Sequence, residues 1–325
     1  MEARPLRHLA GKHGFRLVAL GAAIWGSDAL FRRGLALELP ASAVVFGEHL
    51  ILVVTLLPFM PRMIAGLRRM GKSDLVALLV VGAGSSAGAT ILFTHAFVYG
   101  DPTTPLLLQK LQPLFAVLGA RIVLGERLGP RYGLFFLVAL AGAYLITFAD
   151  PLDVTVRSAA AGAYAVGAAA LWGLGTVLGR RLTGAVGFTE LTGLRLLVGL
   201  PAAGLILTAQ GGWGSLSGVG LPDVYALIAL ALVPGLMALL IYYRGLTETP
   251  AASATIAELS FPLTAVVLNW IAFGYILDGT QWVGVLVLCA VIVQMSRLSS
   301  LGSSRVGVVA PASRLGGRSP GLSQL

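Results

Sequence analysis

Charged residues and cysteine are both scarce in this sequence of 325 residues. Only 11% of the residues are charged, whereas a soluble domain carries about a quarter, so an ordinary soluble domain is excluded. The single cysteine, Cys289, lies in an apolar run and excludes an internal disulfide framework and a cysteine-rich metal site. The Asp and His residues are scattered rather than gathered at one place, so we predict no enzyme, no metal and no cofactor.

Apolar residues dominate instead, at 57% of the sequence. The few charges stand in short clusters between uncharged stretches that are long enough for a helix to cross a bilayer. We therefore predict an all-α integral membrane protein surrounded by lipid. The net charge of +9 would also suit a nucleic-acid partner. Because the basic residues fall at the edges of the apolar stretches, they indicate membrane orientation, and no nucleic acid is predicted.

The hydropathy pattern predicts ten transmembrane helices. In the first half they are Phe15–Phe31, Ala41–Met60, Leu75–Val98, Thr104–Leu124 and Tyr132–Phe148. In the second half they are Ala159–Leu178, Leu191–Ala209, Val224–Tyr242, Ala251–Phe273 and Trp282–Met295. The chain divides into a cytoplasmic N-terminal segment (1–14), a first repeat (15–148), an external linker (149–158), a second repeat (159–298) and a disordered cytoplasmic tail (299–325). The tail is rich in Ser, Gly and Pro and has no acidic residue.

The two halves repeat one another at an offset of 147 to 149 residues. The sequence Ala-Ala-Ile-Trp-Gly ending at Gly26 returns as Ala-Ala-Leu-Trp-Gly ending at Gly173. Pro-Leu-Phe-Ala-Val beginning at Pro113 returns as Pro-Leu-Thr-Ala-Val beginning at Pro262. An internal repeat in a membrane protein is typical of a transporter whose substrate site lies between the halves.

Positive charge predicts the topology. If the N-terminus is cytoplasmic, eighteen of the 23 basic residues fall on the cytoplasmic side, and only Arg32, Arg33 and Arg157 fall outside. Both termini are then cytoplasmic and the number of spans is even. Since five spans in each half is an odd number, the halves insert with opposite orientation and form a 5+5 inverted repeat.

These motifs resemble the EamA-type family of the drug/metabolite transporter superfamily. The resemblance rests on the Trp-Gly pair in the first helix of each half and on a pattern that runs from Pro102 through Pro113 to Gly125-Glu126-Arg127-Leu128. It implies a ten-helix fold with a central cavity and export of amino acids or other small metabolites. One position departs from the family, because the second copy of Gly-Glu reads Gly274-Tyr275 and has no carboxylate.

Polar residues within the spans predict the substrate site, since an ionisable group in hydrocarbon is costly unless it faces a cavity or a partner. Lys110 and Glu258 fall at similar depth in the fourth and ninth spans, and the repeat aligns Glu258 with Gln109. Together with Gln109 and Gln112, this pair could bind the carboxylate and ammonium of a zwitterion. A structural Lys110–Glu258 ion pair is the alternative.

Six further residues are candidates, and two interpretations remain open for the first four. Trp25 and Trp172, related by the repeat, line the cavity or anchor and pack the helices. Glu48 and His49 form a proton relay, or they make an intrahelical or interhelical hydrogen bond. Pro113 and Pro262 are expected to bend the two central helices.

We therefore predict a secondary transporter in the plasma or inner membrane that exports small, amino-acid-like metabolites by alternating access. A sugar-linked or lipid-linked substrate is the alternative within the same class, and a non-transporting membrane scaffold is a further one. The expected partners are a small-molecule substrate and the bilayer. Proton coupling and a homodimer are left open by the sequence.

Overall fold

A computed structural model of the chain describes residues 13–96, 99, 103–126, 131–154, 156, 158–274 and 276–302. Nearly all of these residues are helical, and no strand occurs among them. The predicted N-terminal segment and tail lie almost wholly outside the described residues. The same holds for Pro102, Arg127, Leu128, Arg157 and Tyr275.

Ten apolar helices, five in each half, form the described part of the chain. The first half contains α1 (Gly14–Glu38), α2 (Ala41–Arg69), α3 (Lys72–Ala96), α4 (Thr104–Val123) and α5 (Tyr132–Thr147). The second half contains α6 (Ala159–Leu182), α7 (Phe188–Ala209), α8 (Leu221–Leu246), α9 (Ala251–Phe273) and α10 (Gly279–Leu298). All but α5 have the length and hydropathy of a membrane span, and α5 is a shorter apolar helix. The all-α fold of ten membrane helices in two repeats is thus confirmed.

Helices α4 and α9 are each interrupted at the same place in the repeat. Helix α4 consists of α4a (Thr103–Gln109) and α4b (Gln112–Val123). Helix α9 consists of α9a (Ala251–Glu258) and α9b (Ser260–Phe273). Each break comes just before a proline, whose ring removes the N–H that would bond the carbonyl four residues earlier. Those carbonyls belong to Gln109 and Glu258.

Helices α3 and α8 share a second irregularity. A π-helical segment covers Val80–Gly88 in α3 and Ala231–Met237 in α8. Such segments widen a helix locally and are frequent at functional sites. Because both segments lie near mid-helix in the third span of their repeat, the two halves share their local distortions as well as their helix order.

The first helix of each half packs against the interrupted helix of the other half. A Cβ atom on Gly26 would lie 2.8 Å from the backbone nitrogen of Ala265 in α9b. A Cβ atom on Gly173 would lie 2.8 Å from the carbonyl oxygen of Gln112 and 2.9 Å from the nitrogen of Ala116 in α4b. Since the neighbours are backbone atoms, only glycine permits these approaches, and the two halves interlock through them.

Alanine at either contact glycine should therefore destabilise the fold. We expect Gly26→Ala and Gly173→Ala each to cost about 1–3 kcal/mol, because the backbones must move apart to admit the methyl group. Gly34→Ala is the matched control, since a Cβ atom there meets nothing within 4 Å. The measurement is the thermal unfolding temperature and folded yield of the purified protein, and equal effects at all three glycines would contradict the interlocked packing.

The membrane orientation is also testable. Reporter fusions after Gly71, between α2 and α3, and after Arg314, beyond α10, should both report cytoplasm, because the basic clusters fall on that side. A fusion after Gly212, between α7 and α8, should report the opposite side. A signal from the outer side at Arg314 would contradict the predicted orientation with both termini in the cytoplasm.

Candidate substrate cavity

A cavity of about 470 Å³ lies between the two halves. Its lining comes from α1 to α4 and from α6 to α9. All ten residues that the sequence predicts for the site or its bends belong to this lining. They are Trp25, Glu48, His49, Gln109, Lys110, Gln112, Pro113, Trp172, Glu258 and Pro262.

Glu258 stands at the break of α9 and is only 9% exposed. Its Oε1 accepts hydrogen bonds from the Tyr242 hydroxyl at 2.7 Å and from the Thr176 hydroxyl at 2.9 Å. Its Oε2 accepts from Nε2 of Gln112 at 3.2 Å. A buried carboxylate needs such donors, because leaving it without partners is costly. Three helices, α4, α6 and α8, thus hold one acidic group at the cavity wall.

Lys110 lies at the corresponding break of α4 and also lines the cavity. Its backbone nitrogen donates to the carbonyl of Leu107 at 3.1 Å. Among the described residues, its side chain forms no hydrogen bond and no ion pair, so the Lys110–Glu258 ion pair is absent from this structure. The ammonium group of Lys110 is thus available to a molecule in the cavity.

Two aromatic pairs line the cavity at equivalent places in the repeat. Trp25 of α1 contacts Tyr242 of α8 with ring centroids 4.8 Å apart. Trp172 of α6 contacts Phe93 of α3 with ring centroids 5.3 Å apart. Tyr242 and Phe93 are themselves 149 residues apart, although their side chains differ. The sequence predicted the tryptophans but missed Phe93, since the repeat there is not visible as an identity.

Glu48 and His49 are neighbours in sequence that have different partners. Glu48 accepts a hydrogen bond from Arg32 at 2.9 Å, and Arg32 also pairs with Asp28 at 2.6 Å. Nδ1 of His49 contacts the carbonyl oxygen of Val45 at 2.9 Å. The Nε2 atom of His49 is buried and has no hydrogen-bond partner among the described residues. The structure therefore places Glu48 in a charge cluster with α1 and leaves one ring nitrogen of His49 buried without a hydrogen-bond partner among the described residues.

Arg195 stands in α7 at the position that corresponds to Glu48. Its side chain donates to the hydroxyl of Ser86 and, at 2.9 Å, to the hydroxyl of Tyr243. Arg195 has no carboxylate partner among the described residues. Where the first half carries an acidic residue, the second half thus presents a cation to the cavity.

Two stretches match enzyme motifs by spacing alone. Residues 66–73 read Gly-Leu-Arg-Arg-Met-Gly-Lys-Ser, the spacing of a phosphate-binding loop, and residues 84–88 read Gly-Ser-Ser-Ala-Gly, the spacing of a serine nucleophile motif. Both motifs require a preceding strand. Here Gly66 lies within a helix, and residues 84–88 lie within the π-helical segment of α3. Neither stretch has the geometry that either chemistry needs.

Comparison with known proteins decides the family. A profile of the EamA-like transporter family matches residues 13–148 and 160–297. The chain belongs to the EamA-like transporter family. The match covers both halves, so this protein is a multi-pass membrane transporter of small metabolites, and its family is one of transporters rather than enzymes.

Two similar proteins carry a substrate in their names. One is the riboflavin transporter ImpX of Fusobacterium nucleatum, 31% identical over 88% of this chain and 98% of that protein. The other is a riboflavin transporter of Rhizobium johnstonii, 29% identical over 76% of this chain and 78% of that protein. A protein of known crystal structure has the same fold, with a TM-score of 0.67 and 21% identity over 90% of this chain and 99% of that one. These names support a small-metabolite substrate but not the amino-acid-like one predicted from the sequence.

The geometry predicts that Lys110 and Glu258 are energetically independent. Lys110→Met and Glu258→Gln should have additive effects on the free energy of unfolding, within about 0.5 kcal/mol, because no ion pair joins them. Denaturant unfolding of both single variants and the double variant measures the coupling. Recovery of stability in the double variant would mean that the two side chains pair.

Arg32 and Glu48 supply the control for that cycle. They form an ion pair at 2.9 Å, so Arg32→Met and Glu48→Gln should be coupled. Loss of one member of a fully buried pair costs about 3–5 kcal/mol, and since these side chains are 21% and 13% exposed, a smaller coupling of about 0.5–3 kcal/mol is expected. A cycle that detects this pair and finds no coupling between Lys110 and Glu258 confirms the geometry of the cavity.

Proposed function

We propose that the protein transports riboflavin or a closely related flavin through the cavity between its halves. The support from similarity is that two relatives named as riboflavin transporters align with most of this chain. The support from the site is the combination of two aromatic pairs with hydrogen-bonding groups at the helix breaks. The two aromatic pairs, Trp25 with Tyr242 and Trp172 with Phe93, are the structural observation on which the proposal chiefly depends.

The size and shape of the cavity suit a flavin. Its volume of about 470 Å³ lies within the range of roughly 300–1,000 Å³ that holds a small organic ligand. A flavin has a planar three-ring system, which offers large faces to aromatic side chains. Trp25 with Tyr242 on one side, and Trp172 with Phe93 on the other, provide such surfaces from both halves.

The polar groups match the rest of the molecule. One edge of the flavin ring system carries two carbonyl oxygens and an N–H between them, as in uracil. Lys110 donates hydrogen bonds only, while Gln109 can both donate and accept, so the break of α4 can satisfy such an edge. The ribityl chain carries hydroxyl groups, for which the hydroxyls of Thr90 and Thr94 in the cavity lining are suitable partners.

An amino-acid-like zwitterion fits this site less well. Glu258 was expected to bind the ammonium group, but its carboxylate already accepts three hydrogen bonds from neutral side chains. An ammonium ion would have to displace some of these donors. A flavin is uncharged near neutral pH, so it can occupy the cavity while Glu258 keeps its three donors.

Export remains a prediction of the sequence, whereas proton coupling and assembly are left open by it. The names of the relatives state no direction, so export is tested against uptake. Proton coupling through Glu48 or His49 would appear as a dependence of transport on the pH gradient. A homodimer would appear as twice the monomer mass in light scattering.

Expression in cells that cannot synthesise riboflavin tests the substrate. We expect movement of labelled riboflavin, measured as uptake and as efflux from loaded cells, and competition by lumiflavin, which keeps the ring system but lacks the ribityl chain. Trp25→Ala and Trp172→Ala should each raise the KM about tenfold, because stacking of an aromatic heterocycle on one side chain is worth about 1–3 kcal/mol. Surface expression is measured in parallel.

Trp213 provides the matched control. It contacts Phe46 with ring centroids 5.0 Å apart and is absent from the cavity lining, so Trp213→Ala should leave KM unchanged. If zwitterionic amino acids compete for transport and flavins do not, the flavin proposal is wrong. Equal effects of all three tryptophan substitutions on KM would show that the aromatic pairs are not part of the substrate site.

A further inference from the structure

The N-terminus of α9a is capped by a residue from the other half of the protein. Its N-cap residue is Pro250, whose side chain makes no capping hydrogen bond. The backbone nitrogens of Ala251 and Ala252 donate instead to the two carboxylate oxygens of Glu126, at 2.7 Å and 3.0 Å. A carboxylate at a helix N-terminus satisfies free N–H groups and interacts favourably with the helix dipole.

The local sequence positions Glu126 for this contact. Helix α4b ends at Val123, and Gly125 follows with a positive φ of 65°. The backbone nitrogen of Glu126 then donates to the carbonyl oxygen of Ala120 at 3.1 Å. This is a helix-ending turn that favours glycine at the position with positive φ, and it directs the chain sideways from the axis of α4b. The Gly-Glu sequence thus places a carboxylate across the boundary between the halves.

The capped helix connects this contact with the cavity. The Tyr132 hydroxyl, at the start of α5, donates to the carbonyl oxygen of Ala252 at 2.6 Å and forms a second link between the halves. Helix α9a is short, at eight residues or about 12 Å, and most of its residues are buried. Its other end carries Glu258 in the cavity wall. A movement of α9a away from α4b would therefore open this end of the bundle and displace Glu258.

The opposite end of the bundle differs. Helix α4b packs against α9a, but the equivalent pair, α4a and α9b, has no comparable packing in the described part of the chain. In the repeat, Tyr275 corresponds to Glu126, so the second half has no carboxylate at that position of its sequence. At the end where α4b packs against α9a, the Glu126 cap and this packing together hold the two halves closed in the described part of the chain.

We infer that Glu126 is a conformational latch for transport. It joins α9a to the first half at the end of the bundle where α4 terminates and stabilises the conformation closed there. Opening of the cavity toward that end requires the Glu126 carboxylate to leave the amides of Ala251 and Ala252. The latch biases the carrier toward the conformation with this end closed. The inference needs only the transport function of the family and does not depend on the flavin.

Distance measurements between two spin labels test the latch directly. One label is placed at Val123, the end of α4b, and the other at Thr247, just before α9a, as Val123→Cys and Thr247→Cys in a Cys289→Ser background. We expect Glu126→Ala to raise about tenfold the fraction of molecules in which the two labels are far apart. Loss of a helix cap costs about 1 kcal/mol, and loss of the carboxylate charge beside the helix dipole adds to that cost. Glu126→Gln, which keeps one acceptor oxygen, should have a smaller effect.

Glu190→Ala is the matched control. Glu190 lies in the first turn of α7, and its carboxylate accepts a hydrogen bond from the adjacent Thr189. This substitution should leave the label distances unchanged. An unchanged distance distribution in Glu126→Ala, whether or not the unfolding temperature falls, would overturn the inference, because Glu126 would then only cap a helix. Since no substrate is added, a failure of the flavin proposal would not alter either outcome.

Discussion

The close approach of backbones at Gly26 and Gly173 is the constraint on which the rest of the structure depends. Each glycine brings the first helix of one half against the interrupted helix of the other, with no room for a side chain. The residues that precede them, Trp25 and Trp172, consequently project beside the helix breaks and line the cavity. One contact, made twice, interlocks the halves and fixes the position of both aromatic walls.

The bilayer imposes the second constraint, since every polar group in it needs a partner or a cavity. The prolines at positions 113 and 262 interrupt two helices and deprive the carbonyls of Gln109 and Glu258 of their helical donors. The polar side chains gather at these breaks, where a cavity admits water or substrate. Glu258 accepts three hydrogen bonds from the protein, whereas the side chain of Lys110 donates none among the described residues. The breaks therefore create the site, and the different side chains at them determine what it can bind.

The sequence predicted the ten helices, the two repeats and the residues that line the cavity, because hydropathy and repetition are visible along the chain. It predicted the local Asp28–Arg32 ion pair but not the partners that charged residues have on other helices. The pairing of Glu48 with Arg32, and the donation from Thr176 and Tyr242 to Glu258, depend on helix rotation and on contacts between distant segments. The grouping of Lys110 with Glu258, either around a zwitterion or as an ion pair, rested on equal depth in the membrane. Equal depth does not determine the direction in which a side chain points.

The repeat relates the backbones of the two halves more closely than it relates their chemistry. Gln109 corresponds to Glu258, Glu48 corresponds to Arg195, and Glu126 corresponds to Tyr275. Two halves with identical side chains would give conformations of equal energy on the two sides of the membrane and a cavity with matching charges. Each difference in side chain between equivalent positions makes the two conformations less equal in energy and the two sides of the cavity less alike. The helices of the two halves thus share one architecture, while a few side chains give the two sides of the cavity different chemistry.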